Sequence, residues 1–378
     1  MENKICVYTI CKNESQFVEK WVKSMSEADS IVVLDTGSTD DTVEKLRKLG
    51  VTVEQKIINP WRFDVARNES LKLVPEDCNI LVCTDLDEVL EPGWAKILKD
   101  NWVDGKYKQC WYKYAWSHMP DGSDGRVFWY CKIHAKGFKW EFPVHETLTY
   151  ENEEYRKKLE PLEDLWISEG IKLHHYPAPK TTRSNYLPLL EKRVEENPDD
   201  FSSNIYLGHE YHYSRKEEKC IERLNIVLNK FKDITALEQA SCYLFIGDAY
   251  TNLGDLYNAE QAYRMAIKTD KTYREGYIGL ANVLMRDDNP RKNMEEAYQM
   301  LKRALRDSYK HYSWLERDES YTYQIYDILC LAAYYSNHKK DSLLYAFIAR
   351  ELYQDNDERL NNNVKLVLEN VSDKMLGE

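Results

Sequence analysis

Short apolar runs alternate with amphipathic segments through the first half of the chain. Residues 5–10 and 80–84 have the continuous hydrophobicity of buried strands, and residues 31–35 and 51–53 are predicted to form two further strands, the last of them short. The segments from about residue 15 to 26, and again up to Leu49, carry apolar residues at helical spacing. Because such strands alternate with helices, the pattern predicts a parallel sheet covered on both faces. Residues 107–176 have aromatic, strand-like runs, which predict a mixed-sheet extension with long loops.

The chain after about residue 185 is helical throughout and repetitive. Gly208, Gly247 and Ala281 occupy matching places in three similar segments, and the last two lie 34 residues apart, the tetratricopeptide period. The best copy, residues 240–273, places small and aromatic residues where paired helices need close packing. A degenerate fourth copy around residues 331–353 is expected to cap the stack.

These two sequence patterns, alternating strands and helices and then repeated helices, define the predicted architecture. We expect an α/β domain with a Rossmann-like mixed sheet over residues 1–183, followed by an all-α domain of tetratricopeptide-like repeats over residues 184–378. A chain of 378 residues is long for one domain and of ordinary length for two.

Composition and charge narrow the set of partners. The net charge of −12 opposes binding to a phosphate backbone, so we expect no nucleic-acid partner. No stretch approaches the length needed to span a bilayer, and the opening residues lack a signal-peptide core. The nine cysteines are scattered without a C-x-x-C pair, which argues against a disulfide framework or a zinc site. We therefore expect a cytoplasmic protein.

An acidic motif, Asp85-Leu86-Asp87-Glu88, comes directly after the fourth predicted strand. In open α/β sheets ligands bind beyond the carboxyl ends of the strands, and Thr9 and Asp35 stand at two other such ends. Two carboxylates one residue apart can turn toward a divalent cation that is shared with substrate phosphates. Acidic pairs in loops are more often solvated surface, so the position after a buried strand is what favours a metal site here.

An ordered set of short motifs resembles the family 2 glycosyltransferases of GT-A fold, particularly bacterial members fused to tetratricopeptide repeats. The resemblance covers roughly residues 4–180, and the repeats extend it. The matching segments are Lys12-Asn13-Glu14, residues 33–42, residues 61–68, Asp85-Leu86-Asp87-Glu88, Val144-His145-Glu146 and His174-His175-Tyr176. Pro177 stands where glycine is commoner in the family.

The resemblance implies a sugar-nucleotide donor, UDP-sugar rather than GDP-sugar, bound together with Mn²⁺ or Mg²⁺. The residues implied on the nucleotide side are Thr9, Asn13, Glu14, Asp35, Asp64, Arg67 and Asp85. A carboxylate such as Asp35 can accept from an imide N–H or a ribose hydroxyl; the alternative is that it caps the following helix. The planar fork of Arg67 complements phosphate oxygens; the alternative is a surface ion pair.

The resemblance also implies the metal ligands. Asp87 is the principal one, and His175 would supply a late ligand or a diphosphate contact, since neutral imidazole suits Mn²⁺. His174 competes with it, because neighbours in an extended segment point to opposite faces and only one of them enters the site.

An inverting transferase, as this family is, needs a base that faces the anomeric carbon from the side opposite the leaving group. Glu146 is the first candidate and Asp124, on a glycine-bracketed loop, is the second. The alternative for Glu146 is a buried ion pair.

The function expected from these features is metal-dependent, inverting transfer of a sugar from a UDP-sugar to a protein or peptide. The repeats would recruit the acceptor or form a homodimer, because a superhelix of helical hairpins offers a groove for an extended peptide. Peptide-modifying relatives of this architecture, which include some that act on cysteine or serine, make a peptide acceptor plausible. Two alternatives stand beside this one: a transferase for a cell-surface glycan or lipid-linked sugar, and a non-catalytic scaffold that binds sugar nucleotides.

Overall fold

The computed structural model describes residues 2–119, 122–178, 186–290, 292–353 and 357–375. The chain divides into two compact units, Met1–Glu196 and Asn197–Glu378. The predicted division after residue 183 falls within residues 179–185, outside the described ranges.

The first unit is built on a mixed sheet with helices. Its strands are β1 (Ile5–Cys11), β2 (Ser30–Asp35), β3 (Thr52–Gln55), β4 (Ile80–Cys83), β5 (Glu88–Leu90), β6 (Tyr107–Ala115), β7 (Val127–His134), β8 (Phe138–Glu141), β9 (Thr147–Tyr150), β10 (Glu163–Trp166) and β11 (Lys172–His175). Its helices are α1 (Val18–Met25), α2 (Thr42–Lys48), α3 (Phe63–Leu71), α4 (Trp94–Asn101), α5 (Glu153–Leu159) and α6 (Tyr186–Glu196).

The predicted parallel sheet is confirmed for the first four strands. Within the described residues, nine strands form the main sheet in the order β3-β2-β1-β4-β7-β6-β11-β5, with β10 also pairing to β6. Strands β3, β2, β1 and β4 run parallel, and β7 and β5 join antiparallel to their neighbours. Strand β1 is buried along its whole length, because helices and loops cover both faces.

Parallel pairing brings several strand ends to one edge of the sheet. Cys11 at the end of β1 lies opposite Asp35 at the end of β2, and Tyr8 of β1 lies opposite Cys83, the last residue of β4. The loops that follow these three strands therefore start from the same edge, as ligand sites in open α/β sheets require.

One element of the mixed-sheet extension departs from the expectation of strands and loops alone. Residues Glu153–Leu159 form helix α5, whose N-cap Asn152 accepts a hydrogen bond from the backbone N–H of Tyr155 at 3.0 Å. The local cap and the charged, non-alternating sequence favour the helix here.

The second unit is an array of helices arranged in antiparallel pairs. They are α7 (Phe201–Tyr213), α8 (Glu217–Lys230), α9 (Ala236–Leu253), α10 (Leu256–Thr269), α11 (Arg274–Met285), α12 (Met294–Asp307), a 3₁₀ helix (Asp318–Tyr321), α13 (Tyr323–Tyr335), α14 (Lys339–Leu352) and α15 (Glu358–Met375). The repeat prediction is thus confirmed, with the predicted fourth copy beginning earlier, at Tyr323, and α15 following it.

Small residues allow the paired helices to approach, as the repeat pattern predicts. The ring of Tyr263 packs against Gly247 and Gly279, where an added Cβ would lie 2.7 Å and 2.3 Å from its Cε1. The Tyr263 hydroxyl donates to Asp248 at 2.7 Å, which keeps the ring from swinging away. Among the described residues, the structure has no helix long and apolar enough to cross a membrane.

Candidate functional site

The acidic motif after β4 forms a tight turn at the strand-end edge of the sheet. The backbone N–H of Asp85 donates to Oε2 of Glu88 at 2.8 Å, and the N–H of Glu88 donates to the Asp85 carbonyl at 3.0 Å. Glu88 then begins β5, which pairs antiparallel with β11 so that Glu88 lies opposite His175. This pairing brings the late histidine motif to the acidic motif.

His175 and Asp87 form a carboxylate–imidazole pair. Nε2 of His175 lies 3.3 Å from Oδ2 of Asp87. Nδ1 lies 3.1 Å from the carbonyl of Trp116, which assigns a proton to Nδ1 and turns Nε2 toward the carboxylate. Burial alone would lower the pKa of His175, but the hydrogen bond and charge of Asp87 outweigh it and raise that pKa.

His174 points to the opposite face of β11, as strand alternation requires. Its Nε2 lies 3.0 Å from Oε1 of Glu91, and its Nδ1 lies 3.0 Å from Nε2 of His118. Of the two predicted histidines, the structure therefore brings His175 to Asp87 and directs His174 to a separate cluster.

The carboxylate of Asp85 lies between two buried cations. Its Oδ1 accepts from Nη2 of Arg67 at 2.8 Å and its Oδ2 accepts from Nζ of Lys132 at 3.2 Å. Burial alone would raise the pKa of Asp85, but these two positive charges hold it well below the ordinary value of 3.8. Asp85 is thus fixed in its charged form.

Arg67 is buried, with 3% of its surface exposed, rather than forming a surface ion pair. Its Nε donates to Oε1 of Glu146, its Nη1 lies 3.3 Å from Sγ of Cys83, and its guanidinium lies 5.4 Å from the ring centre of Trp140. Burial would lower the pKa of Arg67, but Asp85, Cys83 and Glu146 raise it far above its ordinary value. Arg67 stays charged.

The loop that carries Glu146 is strained and firmly anchored. Phe142 and His145 have φ values of 84° and 50°, a conformation that costs side-chain-bearing residues about 1–3 kcal/mol each. Nη1 of Arg193 donates to the carbonyls of Val144 and His145 at 2.9 and 2.7 Å. The fold holds this loop in place, and strain held at a fixed position is typical of functional loops.

The two candidate bases have different surroundings. Glu146 makes an ion pair with Arg67 through Oε1. The alternative expected for Glu146, a buried ion pair, therefore applies to one of its two carboxylate oxygens. Asp124 accepts from Nζ of Lys172 at 2.9 Å through Oδ2, while its Oδ1 lies 3.7 Å from Nδ1 of His174. The structure places Glu146 beside Arg67 and Asp124 in the His174 cluster.

Asn13 and Glu14, in the motif after β1, lie at the same strand-end edge of the sheet as the acidic motif. Burial, followed by the charges of Asp85 and Asp87, raises the pKa of Glu14 to about 8, so this carboxyl lies within the field of the acidic motif. Asn13 has a φ of 56°, and its Oδ1 accepts from the backbone N–H of Thr39 at 2.7 Å. Asn13 therefore organises the loop after β2.

Asp35 and Thr9 are enclosed at the ends of β2 and β1. Asp35 accepts from the N–H groups of Gly37 and Ser38 at 3.2 and 3.1 Å and from Nε2 of Gln55 at 3.3 Å. Burial would raise the pKa of Asp35, but the hydrogen bonds, those from Ser38 above all, lower it. Its carboxylate closes this turn and does not cap α2, whereas the Thr9 hydroxyl donates to the carbonyl of Ile10 at 3.1 Å.

Asp64 lies on α3, one turn before Arg67. Arg62 binds it through two hydrogen bonds, of 3.0 and 2.8 Å, and also reaches Glu196 at 2.7 Å. Asp64 therefore forms a local ion pair with Arg62, and it accepts from the Val65 N–H at the start of α3.

The motifs gave no role to Lys132, Glu88 or Tyr114. Lys132 is 6% exposed, and its Nζ lies 4.0 Å from Oε1 of Glu88 as well as near Asp85. The hydroxyl of Tyr114 donates to the same Glu88 oxygen at 2.8 Å. The sequence did contain one sign of a role for Lys132, because this lysine lies inside the apolar run of β7.

The residues present fit a divalent cation. Asp87 and His175 offer an oxygen and a nitrogen 3.3 Å apart, and their side chains remain 19% and 12% exposed. Such a donor pair suits Mn²⁺ and leaves coordination positions for phosphate oxygens. Asp85, by contrast, is already bound by the side chains of Arg67 and Lys132.

Fold and site together define a class of protein. It has an α/β domain with an acidic motif at its strand ends, followed by an array of helical repeats. Residues 6–159 match the profile of glycosyl transferase family 2. A curated relative, an uncharacterized glycosyltransferase of Rickettsia conorii, is 40% identical over 62 residues, which cover 16% of this chain and about a fifth (21%) of the relative. The first unit is therefore similar to family 2 glycosyltransferases over residues 6–159, and tetratricopeptide-like repeats follow it.

Comparison with solved structures returns repeat proteins. The crystal structure of MamA is 18% identical, covers 44% of this chain and 86% of its own, and gives a TM-score of 0.34. A thermophilic tetratricopeptide protein of Thermus thermophilus, TTC0263, is 18% identical, covers 48% of this chain and 88% of its own, and gives a TM-score of 0.35. At these scores the repeat architecture rests on the helix pairs themselves.

Replacing Lys132 by methionine should destabilise the fold by about 3 kcal/mol at neutral pH, because Asp85 and Glu88 lose a buried positive partner. The depressed pKa of Asp85 contributes stability above its ordinary value of 3.8, and this contribution is lost as the pH falls toward the lower, folded-state pKa. The difference between the two proteins should therefore shrink below about pH 4. Urea unfolding across this pH range measures it.

Lys113→Met is the matched control, since Lys113 lies on the neighbouring β6 with its Nζ 4.0 Å from the ring centre of Trp129. Equal and pH-independent losses for both variants would contradict the role assigned to Lys132.

Proposed function

We propose that the protein is a metal-dependent, inverting glycosyltransferase that moves a sugar from a UDP-sugar to a protein or peptide acceptor. The observation that carries the proposal is the Asp87–His175 pair beside the Arg67–Asp85–Lys132 cluster, at the shared edge where the parallel strands end. The family assignment of residues 6–159 supports sugar transfer.

In the proposed donor site, Asp87 and His175 would hold Mn²⁺ or Mg²⁺. When bound, the cation offsets the charge that develops on the departing diphosphate. The chain itself supplies fixed geometry: Asp85 ties Arg67 and Lys132 together, so that charged groups at this edge need not reorganise during the reaction.

The nucleotide side of the proposed site is formed by the loops after β1 and β2. Asp35 and Asn13 shape them by binding backbone N–H groups of residues 37–39, and Glu14 lies near the acidic motif. Thr9 and Asp64 act from beneath this surface in the proposal, since Thr9 is fully buried and Asp64 is bound by Arg62.

Glu146 is proposed as the base. The acceptor hydroxyl or thiol attacks the anomeric carbon as the bond from that carbon to the diphosphate oxygen breaks, and the acceptor proton passes to Oε2 of Glu146. Its ion pair with Arg67 uses Oε1, and Arg193 anchors the loop, so the carboxylate is held in one orientation.

The acceptor is proposed to bind in the repeats. The second unit contains a groove of about 550 Å³ lined by helices α9, α10, α11 and α13 and by the 3₁₀ helix, with Asn282, Arg286 and Gln324 among its residues. The carboxamides of Asn282 and Gln324 can donate to and accept from a peptide backbone. Asp248 and Arg317 also line the groove, where they form an ion pair with each other. A groove that presents side-chain amides suits an extended peptide.

A donor-release assay tests the reaction. With a panel of UDP- and GDP-sugars and either cation, we expect one UDP-sugar to be consumed only when metal is present, and Asp87→Ala to lower the rate at least about 100-fold. Asp100→Ala, which removes an exposed carboxylate on α4, is the control and should leave the rate unchanged.

If no donor is hydrolysed, calorimetric titration with UDP and metal decides the outcome. Binding without turnover would favour the scaffold alternative or an enzyme that requires its acceptor. Absence of binding would contradict the donor site.

The base assignment is tested by comparing two isosteric variants. Glu146→Gln should slow transfer by about 10²- to 10⁴-fold, because it keeps an acceptor for Arg67 but removes the proton-accepting oxygen. Asp124→Asn should change transfer only a few-fold. The opposite ranking in steady-state kinetics would assign the base to Asp124.

Filling the groove tests the acceptor site. Asn282→Trp should raise the KM for a cysteine- or serine-containing peptide acceptor about tenfold, with donor hydrolysis unchanged. Gln261→Trp, an exposed position on α10 outside the groove lining, is the matched control. An unchanged peptide KM in both variants, with transfer to a glycan or lipid-linked acceptor instead, would favour the alternative acceptor class.

A further inference from the structure

A second cluster of metal-binding groups lies at the tip of the β6–β7 hairpin, on the side of β11 away from Asp87. His118 and Asp124 belong to the hairpin and His174 belongs to β11. Their ligand atoms all lie within 4.8 Å of one another, with 3.0 Å between the two imidazole nitrogens and 3.7 Å from His174 Nδ1 to Asp124 Oδ1.

These separations suit a single small cation. Zinc bonds to histidine nitrogen and carboxylate oxygen at about 2.0–2.2 Å, so neighbouring donors of a tetrahedral site lie about 3.3 Å apart. The two separations in the structure, 3.0 and 3.7 Å, bracket that value. Small side-chain rotations would bring both histidines and the aspartate into one coordination sphere.

Glu91 gives His174 the right tautomer for a ligand. Nε2 of His174 lies 3.0 Å from Oε1 of Glu91, so the ring donates its Nε2–H to that carboxylate and keeps the lone pair of Nδ1 directed into the cluster. A carboxylate behind a metal-bound histidine is the usual arrangement in zinc proteins.

The carboxylate of Asp124 has one oxygen for the cation. Its Oδ2 accepts from Nζ of Lys172 at 2.9 Å, which leaves Oδ1 facing the histidines. Lys172 also lies 3.6 Å from Glu91, so one positive charge is shared by the two carboxylates around the cluster.

We propose that His118, Asp124 and His174 form a second metal site, selective for zinc or a similar nitrogen-preferring transition metal and separate from Asp87 and His175. Two imidazoles and one carboxylate are a donor set that such metals prefer over Mg²⁺. The scattered cysteines argue only against a zinc site held by cysteine, and this site has no cysteine ligand.

The bound metal fixes the hairpin to β11 one residue from His175. The described residues of the hairpin are already joined by the His118–Asp124 bridge and by a hydrogen bond from the Gly125 N–H to the Ser117 carbonyl at 2.9 Å. The metal would connect it to β11, whose next residue reaches Asp87. This site stabilises the wall of the donor site without supplying a group to the reaction.

Zinc binding to the whole 378-residue chain tests the proposal without any sugar donor. The metal-stripped protein is titrated with Zn²⁺ by calorimetry in the Asp87→Ala background, which removes the Asp87–His175 pair. We expect one Zn²⁺ per chain in Asp87→Ala, loss of that binding when His118→Ala or Asp124→Asn is added, and about 10- to 100-fold weaker binding when Glu91→Gln is added. Circular dichroism checks that each variant is folded.

Two results would overturn the site. One is absence of zinc binding in Asp87→Ala, which would mean that the two histidines are joined only by the hydrogen bond between their rings. The other is unchanged zinc affinity after His118→Ala, which would place the ion elsewhere. Cobalt supplies a second readout, since a tetrahedral site with two imidazoles gives a visible absorption band that the same substitutions should remove.

Discussion

The buried guanidinium of Arg67 is the interaction on which the candidate active site depends. It joins three parts of the first unit that are distant in sequence: its own helix α3, the turn of Asp85 and the strained loop of Glu146. A charge buried to this degree is stable only with well-placed partners, and removing one partner of such a pair typically costs about 3–5 kcal/mol. The acidic turn and the Glu146 loop are therefore held at fixed positions by the same group.

Strand pairing supplies the second constraint. Because β5 begins within the acidic motif and pairs with β11, this strand pairing brings residues 85–88 and 174–175 together. Alternation along β11 then divides the two adjacent histidines: His175 faces Asp87 and His174 faces His118. One short strand pair thus produces two neighbouring clusters with different chemistry.

The repeats follow a simpler rule. Tyr263 fills the space between two helices only because Gly247 and Gly279 leave room for its ring. Periodic small and aromatic residues therefore predicted the helix pairs well, whereas the start of the last pair and α15 followed less regular sequence. Local periodicity was informative here because each repeat packs mainly on its neighbours.

The sequence by itself determined the parallel strands, the strand-end position of the acidic motif, the helical repeats and the set of candidate residues, because these follow from local hydrophobic period and short motifs. It put His174 and His175 forward together, and it left open whether Arg67 is buried or exposed. Only the tertiary structure decided those points and added Lys132, because the charge state and partners of a buried group depend on strands that are remote in sequence. Burial removes water as a partner, so each such charge is defined by the side chains that the fold brings to it.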